Sequence, residues 1–351
     1  MTFNKNFKIA NFEVSTTSKP LVIAEISANH NGSIDKAKQL IQAAKDAGAD
    51  GVKLQTYTPD TMTIDSKGKD FSISGGLWDD YSLYDLYKEA HTPYEWHQDL
   101  FSHANNIDLL CFSSPFDESA VDLLEELNCP AYKIASFEVT DIPLIQYVAE
   151  KNKPMIISTG MASEGEIEEC LEAVKDAGTS DVILLHCVSG YPTPFDQYNI
   201  NTIKLLAERF DIAVGLSDHT LGTEVSVAAV GFGIKLIEKH FTLSRDDHGP
   251  DSVFSLEPSE FKKLTTEVYN AWESLGEASF NTKSVEEKNL SFRRSIYVVE
   301  DIAKGEILTN QNIKRIRPGF GLHPKYFHQA VGKSASKELK RGDRLLINDF
   351  E

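Results

Sequence analysis

The chain has 351 residues, 41% of them hydrophobic and 25% charged, with a formal net charge of −18. That length suits one large domain plus a small one, and the acidity argues against nucleic acid or an anionic membrane surface as a partner. No apolar signal core opens the sequence and no window approaches the ~18 to 20 continuous apolar residues of a membrane span, so a cytoplasmic protein is expected.

In chain order, the alternating stretch FKIANFEVS predicts a small hairpin under the floor of the large domain. Eight short runs rich in Val and Ile come next: LVIAEIS, GVKLQT, DLLCFSS, AYKIAS, PMIIST, VILLHC, IAVGLSD and KLIEKHF. Each is followed by a turn and a helical pattern, the signature of repeated βα units. After the first run Ser33 suits an N-cap, Ile34, Ala37, Leu40, Ile41 and Ala44 fall at helical spacing, and Gly48 suits the stop. The aromatic stretch WDDYSLYDLYKEAHTPYEWH after the second run is too long for a simple connection, and Tyr81, Tyr84 and Tyr87 read as one packed helix face ahead of a ligand platform, the two being compatible at a barrel mouth. TPYE (Thr92 to Glu95) and SEGE (Ser163 to Glu166) both match a capping box, with Pro93 at the first helical position.

Eight such units predict an α/β fold, a closed (β/α)₈ TIM barrel over residues 1–275. A doubly wound sheet would need a phosphate-binding glycine loop after an early strand, and NHNG is instead a turn with a helix cap. Residues 276–290 are polar and read as a linker, and residues 291–351 as a small domain of short strands and Gly/Pro turns. From Ser291 onward 12 Lys and Arg face 7 Asp and Glu, net +5, which leaves −23 for the rest, so tail and barrel are electrostatically complementary. Cys111, Cys129, Cys170 and Cys187 match neither zinc-ribbon nor redox-pair spacing and read as reduced, mostly structural thiols.

A barrel of this kind works at the C-terminal ends of its strands. Those ends carry Glu25; Lys53 and Gln55; Ser113 and Ser114; Lys133 and Ser136; Ser158 and Thr159; His186 and Ser189; Ser217, Asp218 and His219; Lys239 and His240. His219 and His240 end consecutive strands and suit a divalent metal acting as a Lewis acid. Asp218 fits either as a third ligand or as a residue orienting His219, and strand alternation turns it away from the side that Ser217 and His219 share. Lys53 and Lys133, with Ser114, Ser136 and Ser217, form a nest of donors for a phosphate or carboxylate; alternatively each lysine bridges a neighbouring carboxylate such as Glu25 or Glu138. Glu25 fits a general base, a hydroxyl acceptor or a structural partner of Lys53. A Schiff-base aldolase using Lys53 or Lys133, and a sugar-binding or ice-binding-like module without catalysis, are the competing classes.

With AEISANHNG, GADGVKLQT, YKIAS, HCVSGYPTP, GLSDHT and EKHFT in this order, the chain resembles the sialic acid synthase family. The tail RRSIYVVEDIAKGE to IKRIRPGFG is similar to that family's small antifreeze-like (SAF) domain. Within the family, LQTYTPDTMTIDS and GGLWDDYSLYDLYKEAHTPYEWH look most like the branch that makes pseudaminic acid, from 2,4-diacetamido-2,4,6-trideoxy-altrose; the legionaminic and N-acetylmannosamine-using branches are the near alternatives. The resemblance implies condensation of phosphoenolpyruvate with an open-chain amino sugar, assisted by a divalent metal, typically Mn²⁺, with Mg²⁺ or Co²⁺ as alternatives. It implies His219 and His240 as metal ligands, and Lys53, Ser114, Lys133, Ser136, Ser189 and Ser217 around phosphoenolpyruvate. Glu25, Gln55, Glu138, Tyr191 and Asp251 would then line the sugar and water side, with Glu25, His219, His240 and Asp251 as the catalytic set. Arg317 in IRPG resembles an arginine that reaches the partner subunit's site to contact the N-acetyl group, which implies a domain-swapped homodimer. Ser189 stands where many relatives have asparagine, and Ser114 where many have threonine.

Overall fold

A computed structural model describes residues 2–74, 78–79 and 81–351; Gly75, Gly76, Leu77 and Asp80 of the aromatic stretch lie outside the described residues. The chain forms two compact units, one extending to Gly276 and one spanning Glu277–Glu351.

The first unit begins with the hairpin β1 (Phe7–Ile9) and β2 (Phe12–Val14), in which Phe7 faces Val14 and Ile9 faces Phe12. Ile9 and Val14 are buried, and Phe12 shares a groove with Leu110 and Pro130 at the N-terminal end of the sheet, so the hairpin covers that end. The eight predicted runs become β3 (Leu21–Glu25), β4 (Gly51–Thr56), β5 (Leu110–Pro115), β6 (Tyr132–Ile134), β7 (Met155–Ser158), β8 (Val182–Cys187), β9 (Ala213–Asp218) and β10 (Leu236–His240). They pair in parallel in sequence order, and β10 closes on β3 through Leu236↔Leu21 to His240↔Glu25, so the sheet is a closed barrel and not a doubly wound sheet. Seven of the eight strands are buried along their whole length, as expected when helices cover one face and side chains fill the other. Gly215 has no room for a side chain: an added Cβ would lie 2.5 Å from both Leu236 O and Leu185 Cδ2, so glycine lets β9 seat against β10.

The helices are α1 (Ile34–Asp46), α2 (Pro59–Met62), α3 (Leu83–Ala90), α4 (Tyr94–Asn106), α5 (Glu118–Glu126), α6 (Ile142–Ala149), α7 (Glu164–Asp176), α8 (Thr202–Phe210), α9 (Glu224–Val230) and α10 (Pro258–Leu275). Ser33 caps α1 by accepting from Lys36 N, and Ala37, Leu40, Ile41 and Ala44 are its buried stripe. The box at Ser163 and Glu166 forms, but the one expected at Thr92 and Glu95 does not. There Pro93 is the cap residue and the Thr92 hydroxyl instead meets His30 Nε2 at 3.2 Å, a tertiary contact that the local pattern does not encode. The tyrosines also depart from expectation. Tyr81 precedes α3 and donates to Glu89, Tyr84 donates to Asp60, and only Tyr87 packs inward, edge-on to Tyr57, because Leu83, Leu86 and Ala90 occupy the inner stripe.

In the second unit β11 (Ser295–Val298) pairs antiparallel with β12 (Ile313–Ile316). Its core is separate, built on Ile296, Val298, Ile302, Leu308, Ile313, Phe327 and Leu345. The stretch read as a plain linker carries a 3₁₀ helix at Ser284–Phe292. Among the described residues no helix is long and apolar enough to cross a membrane.

Candidate active site

Side-chain alternation sorts the strand ends into two charge systems. Glu238 on β10 points into the barrel and meets Lys53 Nζ at 3.0 Å and Lys133 Nζ at 3.8 Å, while Lys53 also pairs with Glu25 at 2.5 Å. All four groups are buried, and Ser114 Oγ and Ser217 Oγ join them by accepting from Lys53 and donating to Glu238. Two cations and two carboxylates leave the cluster neutral. Burial pulls the Lys53 ammonium down to about 8 against the attraction of Glu238. Burial alone would raise the Glu238 carboxyl, but Lys133 and Lys53 outweigh it and hold it low. Glu25 is thus one of the expected lysine partners, whereas the role anticipated for Glu138 falls to Glu238. Glu138 lines the cavity above, where burial pushes its carboxyl up to about 7.

The second system lies outside the barrel. Asp218 accepts from Lys239 Nζ at 2.8 Å, Thr220 N at 2.9 Å, Thr220 Oγ1 at 2.7 Å and Ser226 Oγ of α9 at 2.6 Å. Its oxygens are therefore committed to scaffold contacts. It is neither a ligand nor the group that orients His219, and Lys239 is removed from the converging set. His186 likewise turns outward and bonds Tyr198 O.

Ser136 and Ser189 meet beside Gly160, where an added Cβ would sit 2.7 Å and 2.4 Å from their hydroxyls. Gly160 N donates to Ser136 Oγ, and an added side chain at this position would collide with both hydroxyls. Gly160→Ala is expected to raise KM for an anionic substrate about 10-fold with kcat little changed, because it displaces binding hydroxyls and not reacting groups. Steady-state kinetics check this, and an unchanged KM would remove both serines from the binding set. Cys187 also belongs here and is no remote structural thiol. It lies 3.3 Å from Ser136 Oγ and 3.8 Å from His219 Nδ1, and these neighbours outweigh burial and bring the thiol down to about 7.

The imidazoles of His219 and His240 stand 5.5 Å apart, centroid to centroid. His219 Nδ1 donates to Val188 O at 3.0 Å, leaving Nε2 uncommitted. His240 Nδ1 is buried without a hydrogen-bond partner, and burial holds this ring well below its usual pKa, hence neutral. Tyr191 packs against both imidazoles, 4.4 Å from His219 and 6.2 Å from His240, and Phe254 lies 4.9 Å from His240. One imidazole anchored through Nδ1 and a second, neutral one with no hydrogen bond to hold it leave nitrogens to spare for a divalent cation. Among the described residues no group of three or more His, Cys, Asp or Glu has metal-ligand geometry, so water and substrate would complete the shell.

Above them opens a cavity of about 440 Å³ whose polar side is Ser27, Gln55, Glu138, Tyr191, His240 and Asp251. Ser27 links this side together, donating to Asp251 Oδ2 and accepting from Gln55 Nε2 at 3.2 Å, and Asp251 lies 4.0 Å from His240 Nδ1. Arg317 belongs to the second unit, exposed just after β12. Glu238, Phe254, Ser27 and Cys187 are site residues not foreseen from sequence. Glu238 had a readable signal, since it stands two residues before His240 and so shares its face.

A closed parallel barrel with ionic and imidazole groups gathered at the C-terminal mouth defines an enzyme of the (β/α)₈ class. The chain belongs to the NeuB family, whose model matches residues 40–280, and carries a SAF domain over residues 293–351. It is 46% identical over 343 residues to the pseudaminic acid synthase of Campylobacter jejuni subsp. jejuni serotype O:23/36, covering 98% of this chain and 99% of that one. It is 45% identical over 334 residues to the pseudaminic acid synthase of Helicobacter pylori, covering 95% and 98%. Among solved structures, the spore coat polysaccharide biosynthesis protein of Bacillus subtilis matches with a TM-score of 0.68 at 32% identity, covering 99% of both chains. The resemblance drawn from the six motifs and the tail is borne out.

Proposed function

We propose that the chain condenses phosphoenolpyruvate with 2,4-diacetamido-2,4,6-trideoxy-altrose to a nine-carbon 2-keto sugar acid, releasing phosphate, and does so in the cytoplasm. The observation that carries this reading is the nearly end-to-end likeness to two pseudaminic acid synthases.

The neutral Lys53–Glu25–Glu238–Lys133 cluster prepares the anion site. A phosphate ester entering there gives both ammonium groups a partner of higher charge, and Ser114, Ser136, Ser189 and Ser217 add hydroxyl donors. Carbon three of phosphoenolpyruvate bonds to the aldehyde carbon as water adds to carbon two; Glu25 accepts one proton from that water and returns it to the former aldehyde oxygen, which becomes a hydroxyl. The remaining proton of the carbon-two hydroxyl passes to phosphate as the bond from carbon two to the bridging oxygen breaks and the ketone forms. Gln55, Glu138, Tyr191 and Asp251 orient the sugar from the cavity side. A divalent cation held by His219 and His240, Mn²⁺ with Mg²⁺ or Co²⁺ as alternatives, would supply Lewis-acid polarisation of the aldehyde. Arg317 is assigned to the acetamido group of a sugar in the partner barrel of a domain-swapped homodimer. A Schiff-base aldolase is disfavoured because Lys53 Nζ is held by Glu25 and Glu238 and Lys133 Nζ by Glu238.

Phosphate release is the test, with phosphoenolpyruvate, Mn²⁺ and each candidate sugar, with and without a chelator. Release is expected with the trideoxy-altrose substrate and is expected to stop on chelation. No release with any sugar would sink the synthase reading, and preference for N-acetylmannosamine or a legionaminic-type sugar would move it to that branch.

A further inference from the structure

The cavity at the barrel mouth has a second wall that the mechanism does not use. Besides the polar groups it is lined by Met62, Ile73, Trp78, Leu83, Leu86 and Phe116. All but Phe116 come from one excursion between β4 and α4, far longer than the few residues that usually join a strand to its helix. Its described parts carry their own caps and ring contacts. Thr58 caps α2 through Thr61 N, Ser82 caps α3 through Asp85 N, and Tyr57 packs edge-on against both Tyr87 and Phe116. Trp78 ties it to the chemistry, donating from Nε1 to Pro250 O at 3.2 Å next to Asp251 and lying 6.1 Å from the Tyr191 ring. Yet Met62, Ile73, Trp78, Leu83 and Phe116 are only half-buried, so apolar surface is turned to the cavity on a site whose floor is ionic.

We propose that this wall, with Ile73 and Leu83 as its principal contacts, selects a sugar that is deoxygenated at carbon six and acetamidated twice, by receiving its methyl groups. This rests on the reaction proposed above. The trideoxy substrate presents three methyls, one at carbon six and two on acetamido groups, whereas N-acetylmannosamine presents one and carries hydroxyls at carbons four and six. A hydroxyl against this wall loses its water and gains no partner.

The test compares kcat/KM for the trideoxy sugar with that for its 6-hydroxy analogue, in the unaltered enzyme and in Ile73→Ser and Leu83→Asn. The unaltered enzyme is expected to favour the trideoxy sugar by about 10- to 100-fold, the discrimination an apolar pocket supplies for such a change. Each variant is expected to lower that ratio about 10-fold with KM for phosphoenolpyruvate unchanged, and Ile73→Val and Leu83→Met to retain it. Equal kcat/KM for the two sugars in the unaltered enzyme overturns the wall without needing any variant to fold. Parallel losses on both sugars overturn it as well. If the unaltered enzyme works best on N-acetylmannosamine, the reaction reading falls with it; if it prefers the trideoxy sugar but the variants leave the ratio unmoved, the wall alone falls.

Discussion

His240→Ala is expected to lower kcat for phosphate release by about 10³-fold or more while KM for phosphoenolpyruvate moves by less than about threefold. The split comes from geography. Phosphoenolpyruvate is assigned to the lysine and serine nest, whereas His240 faces the cavity with Gln55 and Asp251, where the sugar aldehyde is to be activated. His219→Ala should behave in the same way, since its anchored ring stands 5.5 Å away and serves the same end. Turnover retained in either variant would remove the proposed metal site, whatever the substrate proves to be.

Glu238→Gln is expected to cost ~3–5 kcal/mol of stability at pH 7, the usual penalty for stripping one partner from a buried charge cluster. The variant leaves Lys53 and Lys133 with Glu25 as the single remaining carboxylate in the cluster, and Lys133 loses the partner it has. Glu238 is a carboxyl held below its ordinary value, so its contribution is full above the unfolded carboxylate pKa, about 4.3, and is lost as pH falls below it. The gap between parent and variant should therefore hold from neutrality to about pH 4 and close in stronger acid. Saturating phosphoenolpyruvate should raise the melting temperature of the variant by several degrees more than that of the parent, since the ligand supplies the missing negative charge. Thermal unfolding across pH, with and without phosphoenolpyruvate, measures both. Equal melting temperatures, or equal ligand shifts, would show that the cluster does not hold the anion site in balance.

The barrel was legible because each strand is a short apolar run with its own turn and cap, a local signal repeated eight times. The site was legible only where one strand speaks for itself. Ser217, Asp218 and His219 sort themselves by alternation along β9, and the turning away of Asp218 was readable from sequence. What could not be read was which charge meets which. Lys133 lies on β6 and Glu238 on β10, and their contact depends on closure of the whole barrel. Thr92 failed as a cap for the same reason, its hydroxyl being claimed by His30 more than sixty positions earlier. The tyrosine stripe failed because leucines one position away matched the inward face better. The second unit shows the other side of this: its antiparallel strand pair joins residues close in sequence, and a strand-like tail was anticipated there.

Strand β10 divides its labour by parity. Glu238 and His240 face the barrel mouth, where the reaction is proposed, whereas Lys239, between them, serves the seam with β9 and α9 through Asp218. Odd and even positions along this strand are therefore answerable to different masters, one to the proposed turnover and one to folding. Mutational tolerance should be read there residue by residue, since the average over the strand describes neither. An inserted or deleted residue would exchange the two roles at once, placing an ammonium among the lysines and a carboxylate against Asp218. The active centre is thus protected less by any one residue than by the count of residues that precede it on the strand.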